Sequence, residues 1–215
     1  MENNYISRQI SVYKTNKKLA EFIDKLRPAN INNYAHIHAS GEEINGKKQY
    51  SLIGIVLQDY SKGTGNNTIR VTANLSVDDI CYIHSKLLLG VPSFKFEQDK
   101  IFGVPNEHGR SMVTKVRFVR AEVGSDGKPR NYPWYIEVDN GTGVAEKAKT
   151  GGTYIGRNSF SSTNKVFANL NDVDFFALIN RAVSFIKLWE NTYGTSTIRQ
   201  GVEEIQKNIQ NRSNY

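Results

Sequence analysis

Basic and aromatic side chains are concentrated between residues 115 and 157, and they are the residues best suited to binding a polyanion. On a strand predicted at residues 112–123, the two-residue period places Lys115 and Arg117 on one face and Val116 and Phe118 on the other. Cationic groups bind phosphates and exposed rings stack on bases, which is the combination that single-stranded nucleic acid requires. The predicted nucleic-acid-binding residues are Lys115, Arg117, Arg120, Arg130, Tyr135, Lys147, Lys149, Tyr154 and Arg157.

The alternation of side chains along a strand and the positions of glycines add detail to this prediction at two places. Trp134 shares a strand face with Ile136, opposite Tyr135, so Tyr135 or Tyr132 is the expected exposed ring, and the placement of Trp134 stays open. Residues 147–154 read as a mobile basic loop, because their two glycines allow the backbone to approach a ligand closely.

Motifs for catalysis are not found in the sequence. It has no Walker phosphate loop, no glycine-rich fingerprint between a strand and a helix, and no nucleophile elbow. His36 and His38 project from one predicted strand face without a third ligand nearby, His84 reads as a structural histidine, and a single cysteine, Cys81, excludes a cysteine zinc site. We therefore predict no catalytic residue, no metal site and no cofactor.

A sequence repeat indicates how the chain is organised. Residues 71–80 return as residues 166–175, and each copy reads as a strand that runs into a helix. Ser76 and Asn171 are the predicted N-caps, each followed three residues later by an acid, Asp79 or Asp174. We interpret the repeat as two related halves, at about residues 31–90 and 93–192.

The order of elements predicts an α+β fold of duplicated antiparallel sheet and helix units. Before them we expect a short N-terminal extension, with a strand at 6–13 and a helix at 17–26. Strands are predicted at 33–40, 50–60 and 68–75 before a helix at 77–89, and again at 93–102, 112–123, 134–138 and 160–170 before a helix at 173–192. Residues 1–192 then form one domain, and residues 193–215 form a polar, partly ordered C-terminal tail.

Two copies of antiparallel strands followed by a helix, on a basic chain, resemble the Whirly, PC4 and PUR group of single-stranded DNA-binding folds. The resemblance is architectural and spans about residues 31–192. The Whirly signature Lys-Gly-Lys-Ala-Ala-Leu is not present, so no site residue is transferred from that family. The resemblance implies assembly through the helices. The second predicted helix fits either a homo-oligomer or a fully buried central helix, because apolar residues surround much of its circumference: Phe175, Phe176, Ile179, Val183, Phe185, Ile186 and Trp189.

Composition bounds the class of partner. The 215 residues carry a formal net charge of +7, which favours an anionic partner such as nucleic acid. No signal peptide and no apolar run of about 18 residues is visible, so we expect a cytoplasmic protein without membrane contact. The abundant Asn, Lys and Ile residues fit a phage or mobile element of a low-GC host.

Three functions follow from these patterns. The first is largely sequence-independent binding of single-stranded nucleic acid, with DNA favoured over RNA. The second is a protein-interaction module of a phage or mobile element that docks on an acidic partner. The third is a metal-dependent nuclease, which would need converging carboxylates that the sequence does not clearly provide.

Overall fold

The fold is α+β with antiparallel sheets, as the sequence predicts. The computed structural model describes residues 7–30 and 36–213. Its elements in chain order are β1 (Gln9–Lys14), β2 (Lys18–Lys25), β3 (Ser40–Ile44), β4 (Lys47–Tyr50), β5 (Leu52–Asp59), β6 (Ile69–Ser76), α1 (Val77–Leu88), β7 (Ser93–Phe102), β8 (Arg110–Ala121), β9 (Trp134–Lys147), β10 (Thr153–Ile155), β11 (Ser161–Leu170) and α2 (Asp172–Ser213).

Two antiparallel meanders, each followed by a helix, form the body of the protein. The first sheet has the order β1-β2-β5-β6 and leads into α1. The second sheet has the order β7-β8-β9-β11 and leads into α2, while β10 pairs with the far end of β9. The short β3–β4 hairpin forms a separate ladder whose turn places Asn45 and Gly46 at φ 51° and 72°, as an Asn-Gly hairpin turn requires.

The prediction of an N-terminal strand–helix extension is wrong, because residues 18–25 form strand β2. Leu19, Phe22 and Ile23 have helical spacing, but β2 pairs with β1 on one side and with β5 on the other. This pairing turns Ala20 and Phe22 into the core, where both are 1% exposed. β1 and β2 are therefore half of the first sheet. Residues 33–35 of another predicted strand lie outside the described residues.

The predicted helix caps are present in both halves. The Ser76 Oγ accepts a hydrogen bond from the Asp79 amide at 3.1 Å, and the Asp79 carboxylate accepts one from the Ser76 amide at 3.0 Å. The Asn171 side chain accepts a hydrogen bond from the Asp174 amide at 2.7 Å. Each cap satisfies orphan amides where a strand becomes a helix, so the repeat in the sequence reflects a junction used twice.

One continuous core joins the two sheets and the helices. Trp134 is fully buried and stacks on Phe175 of α2 with ring centroids 3.9 Å apart, which settles its placement as a core residue. Its indole Nε1 donates a hydrogen bond to Asp172 at 2.7 Å. Ser11 of β1 donates another to the Leu178 carbonyl of α2 at 2.7 Å, so α2 is attached to the first sheet as well.

The second helix extends well beyond its predicted end at residue 192. It continues to Ser213, through the segment that the sequence assigns to a polar tail. Its last turns expose Ile198, Val202 and Ile205, at 43%, 37% and 39% of their surfaces. Their spacing of four and three residues places them along one side of the helix.

Candidate nucleic-acid interface

The outer face of the second sheet, which faces away from the core, carries Lys115 and Arg117 as predicted, but it is balanced in charge. Lys115 lies 3.1 Å from an oxygen of Asp99. Arg117 pairs with Glu97 at 2.9 Å and with Glu137 at 3.2 Å. The cross-strand register brings together four cations and four carboxylates: Lys95, Lys115, Arg117, Lys165, Glu97, Asp99, Glu137 and Asp139. A polyanion would have to displace these carboxylates, so the sheet face is a poor phosphate surface.

Tyr135 belongs to the same network. Its hydroxyl donates a hydrogen bond to Glu137, and its ring stacks on Phe167 with centroids 5.4 Å apart. Burial, followed by this hydrogen bond, raises the pKa of the Tyr135 phenol well above its usual value. The phenol stays neutral at all physiological pH values, and its ring supports Phe167.

Arg120 does not belong to an interface, which corrects the prediction. It is 6% exposed, and its guanidinium donates to the Val91 carbonyl and pairs with Glu122 at 2.8 Å and with Asp172 at 3.2 Å. The physical reason is strand parity: Arg120 lies on the same face of β8 as buried Phe118, opposite Lys115 and Arg117. The sequence contains this signal, because residues of one strand that are three positions apart point to opposite faces of the sheet.

The remaining predicted residues lie at exposed positions in two places, the connection between β8 and β9 and the hairpin formed by β9 and β10. Arg130 precedes the fully buried Trp134, in the same connection as exposed Tyr132. Lys147, Lys149, Tyr154 and Arg157 are exposed on an arm made by the end of β9, β10 and the following turn, residues 145–158, rather than on a mobile loop. Within residues 7–30 and 36–213, none of the four cations Arg130, Lys147, Lys149 and Arg157 forms an ion pair. The hydrogen bond from Tyr154 to Glu146 raises the pKa of its phenol.

An aromatic groove that the sequence did not reveal lies between the two sheets. It is lined by Tyr13, Thr15 and Lys18 of the first sheet and by Tyr132, Phe167, Ala168 and Asn169 of the second, and it encloses about 290 Å³. Tyr132 and Phe167, which both line it, are 54% and 40% exposed to solvent. Three rings therefore meet at one open cleft, which we call the aromatic groove.

A cation is held inside this groove. The Lys18 ammonium lies 4.7 Å from the centre of the Phe167 ring and 2.6 Å from Asp59. Burial opposes ionisation of Asp59, but the hydrogen bonds from Lys18 and Ser61 outweigh it and lower the pKa of Asp59 to about 2. Across the groove, the Tyr13 hydroxyl donates to the Asn169 carbonyl at 3.4 Å, which holds β1 against β11.

The β1–β2 hairpin beside the groove has the denser positive charge. Residues 7–27 contain six Lys and Arg residues against two acids, whereas residues 115–157 contain eight against five. Lys14 and Lys17 are exposed at the hairpin turn, next to Thr15 and Lys18 of the groove. Local net charge, rather than the number of basic residues, is the sequence signal that would have found this region.

Two histidines, His38 and His84, have structural roles. His38 bonds Ser51 at 2.8 Å and Glu190 at 3.0 Å, and its ring stacks on Trp189, so it joins the segment before β3 to α2. His84 is 9% exposed, and burial followed by the charge of Lys187 lowers its pKa, although a hydrogen bond with Asn180 opposes this. Among residues 7–30 and 36–213, no three His, Cys, Asp or Glu side chains are grouped to hold a metal.

Comparison with known proteins adds a structural likeness. No protein-family model and no curated protein sequence matches this chain. One solved structure, described as that of the plant transcriptional regulator PBF-2, is similar. It has a TM-score of 0.45 and 11% identity, and the match covers 99% of this chain and 100% of that one. The fold class stated above rests on the strand pairing and helix positions of this chain. In the described residues, no helix combines the length and apolarity needed to cross a bilayer.

Proposed function

We propose that this protein binds single-stranded nucleic acid, with DNA favoured, largely without sequence preference. The observation that carries the proposal is the aromatic groove, where Tyr13, Tyr132 and Phe167 meet beside the Lys18 ammonium. Every base has a π-face, so rings in an open groove bind bases without reading their edges.

Binding would combine stacking in the groove with phosphate contacts around it. A base that enters stacks against Phe167 or Tyr132, both of which are exposed. Lys18 stands over one of these rings, and Lys14 and Lys17 lie at the adjoining turn, so the flanking phosphates meet positive charge on the side of the β1–β2 hairpin. The exposed arm with Lys147, Lys149, Tyr154 and Arg157, together with Arg130, gives further contacts in this proposal.

The role of the outer face of the second sheet is different in this proposal. Lys115, Arg117 and Tyr135 are held by Glu97, Asp99 and Glu137. Within this network, Tyr135 contributes to binding by supporting Phe167, because it stacks on the Phe167 ring.

The proposal includes a homo-oligomer assembled through the last turns of α2, because Phe175, Ile179, Val183 and Ile186, on which the sequence prediction relied, are buried in the core of the protein itself. Ile198, Val202 and Ile205 are exposed along one side of its last turns, and a 3–4 spacing of apolar residues is the pattern by which two helices pack together. Assembly would place several grooves on one particle and raise the affinity for long strands.

A binding assay separates this function from its alternatives. Labelled single-stranded DNA, single-stranded RNA and duplex DNA are titrated with protein at two salt concentrations, with Mg²⁺ present in a parallel series. We expect the tightest binding to single-stranded DNA and no shortened products. Shortened products would favour a nuclease, and no binding to any of the three would favour a protein-interaction module with an acidic partner.

A further inference from the structure

A second group of cations lies around Asn74, on the outer face of the first sheet and at its β6 edge, where Lys100 reaches in from β7, away from the aromatic groove. We propose that Arg8, Lys25, Arg70 and Lys100, around Asn74, form a phosphate-binding surface for the continuation of a strand whose bases occupy the groove. This inference rests on the proposed function and assigns the path of the strand beyond the groove. We call this group the Asn74 surface.

Two lysine ammonium groups converge on one asparagine at the centre of this surface. The Lys25 Nζ donates to the Asn74 Oδ1 at 2.7 Å, and the Lys100 Nζ donates to the Asn74 backbone carbonyl at 2.9 Å. Both lysines and Asn74 are half-buried. Each ammonium has three donors, so hydrogen-bonding capacity remains at both for a second acceptor.

These cations are not held in ion pairs with carboxylates. Across the described ranges 7–30 and 36–213, Arg8, Lys25, Arg70 and Lys100 take part in no ion pair. Burial, and then the charges of Arg70 and Arg8, lower the pKa of Lys25. Burial also lowers the pKa of Lys100, although Asp79 opposes this effect. A phosphate bound here would supply the missing counter-charge, in contrast to the balanced outer face of the second sheet.

The Lys25 side chain is already held in the position that a ligand would require. It reaches Asn74 by crossing Gly54 of β5, where an added Cβ would lie 3.1 Å from the Lys25 Cε and 2.5 Å from the Ile23 Cγ1. Such packing removes rotamer freedom before binding, so less entropy is lost when a phosphate arrives.

The strand register connects this surface to the groove. Lys18 of the groove aligns with Asp59 and Ile69, and the next row aligns Leu19, Gln58 and Arg70. Arg70 therefore lies at the same end of the sheet as the groove, two strands or about 10 Å from β2. Lys18 and Asp59 lie on the core-facing side of the sheet, whereas Arg70 and Asn74 lie on its outer side. A strand leaving the groove would therefore pass over this end of the sheet to Arg70 and continue about 13 Å, four residues along β6, to Asn74.

Oligonucleotide length provides the test. Anisotropy titrations use oligothymidylates of about 6 and about 30 nucleotides, chosen to fill one binding site or extend past it, at about 50 and 200 mM salt. The variants are Lys25→Gln with Arg70→Gln, and Arg8→Gln with Arg70→Gln. The second variant keeps both lysine hydrogen bonds to Asn74, so a loss of binding in it cannot be attributed to breaking those bonds. The matched control is Lys86→Gln with Lys95→Gln, two lysines that already contact the Tyr82 ring and Glu97.

We expect both variants to weaken binding of the long oligonucleotide several-fold. Their log–log salt slope should flatten by about 1.4, since each phosphate contact on a single strand contributes about 0.7. The affinity of both variants for the short oligonucleotide should stay within twofold of that of the wild type. The control variant should bind both oligonucleotides within twofold of the wild type. Unchanged affinity and slope for the long oligonucleotide in both variants would overturn the inference.

Two further outcomes separate this inference from the proposed function. If the wild-type protein binds neither oligonucleotide, the proposed function itself fails and the inference fails with it. If the variants lose binding to poly-glutamate but keep the long oligonucleotide, the Asn74 surface serves an acidic protein and the inference is wrong.

Discussion

Individual side chains in this protein gain or lose their binding capacity according to what lies next to them. Arg117 and Lys18 are both paired with carboxylates, but Arg117 sits in a network centred on Glu137, which is 3% exposed, whereas Lys18 faces an open groove. A ring or a cation is therefore useful for binding only where the fold leaves one side of it accessible. Phe167 satisfies this condition, because Tyr135 supports one side of its ring and the aromatic groove opens beside it.

Removing the exposed rings tests stacking directly. Tyr132→Ala and Phe167→Ala should each weaken binding of single-stranded DNA by about 1–3 kcal/mol, since that is the usual contribution of one stacked base. Fluorescence anisotropy measures the affinity, and thermal unfolding verifies the fold. Tyr50→Ala, at another exposed tyrosine, is the matched control and should leave affinity unchanged. Equal affinity of all three variants would contradict the assignment of the groove.

The Lys18–Asp59 pair makes a prediction about pH. The pKa of Asp59 is lowered to about 2 in the folded protein, so its stabilising effect is complete above about pH 4 and is lost as the pH falls through 2. Asp59→Asn should therefore lower the free energy of unfolding by about 1 kcal/mol at neutral pH. Denaturant unfolding at pH 7 and at pH 2 measures this difference, which should shrink at the lower pH. The prediction would be contradicted if Asp59→Asn lowered the free energy of unfolding equally at both pH values, or if Asp126→Asn lowered it by the same amount.

Secondary-structure elements here take their form from their neighbours as much as from their own residues. β2 has a helical pattern of apolar residues but forms a strand, because two neighbouring strands satisfy its backbone. β6 is an edge strand whose free side is covered: Asn140 bonds the amide and carbonyl of Thr72, and Lys100 bonds the carbonyl of Asn74. A covered edge cannot pair with a strand of another chain, so the free side of β6 is protected from such pairing.

The last turns of α2 provide the test of assembly. Val202→Asp with Ile205→Asp places charges on the exposed apolar side of the helix, where a partner helix would have to bury them. Light scattering after size exclusion should show a smaller particle with unchanged circular dichroism. Glu203→Ala with Lys207→Ala, exposed on the opposite side of the helix, should keep the wild-type mass. An unchanged mass in the aspartate variant would exclude this side of α2 as the interface.

The whole molecule distributes its +7 charge unevenly. The outer face of the second sheet is neutral, whereas the β1–β2 hairpin has a clear excess of cations beside the aromatic groove. An uneven field of this kind steers a polyanion towards one side of the protein and makes its affinity depend on salt.

Salt dependence therefore tests the charge distribution. The logarithm of the binding constant for single-stranded DNA should fall linearly with the logarithm of salt concentration, with a slope of about −0.7 for each phosphate contacted. Lys14→Gln with Lys17→Gln, at the exposed hairpin turn, should reduce the magnitude of that slope by about 1.4. Lys86→Gln with Lys95→Gln should leave it unchanged. A slope near zero for the wild-type protein would contradict binding through phosphates.

The sequence by itself determined the properties that depend on near neighbours along the chain. The caps at Ser76 and Asn171, the alternation on β8 and the α+β order all follow from spacings of two to four residues, over which local sterics and hydrogen bonds act. Only the tertiary structure decided which cations are balanced and where rings meet. The aromatic groove joins Tyr13, Tyr132 and Phe167, and Glu137 meets Arg117 and Lys165, across long stretches of chain. Such contacts depend on strand pairing and sheet packing, which no local pattern specifies.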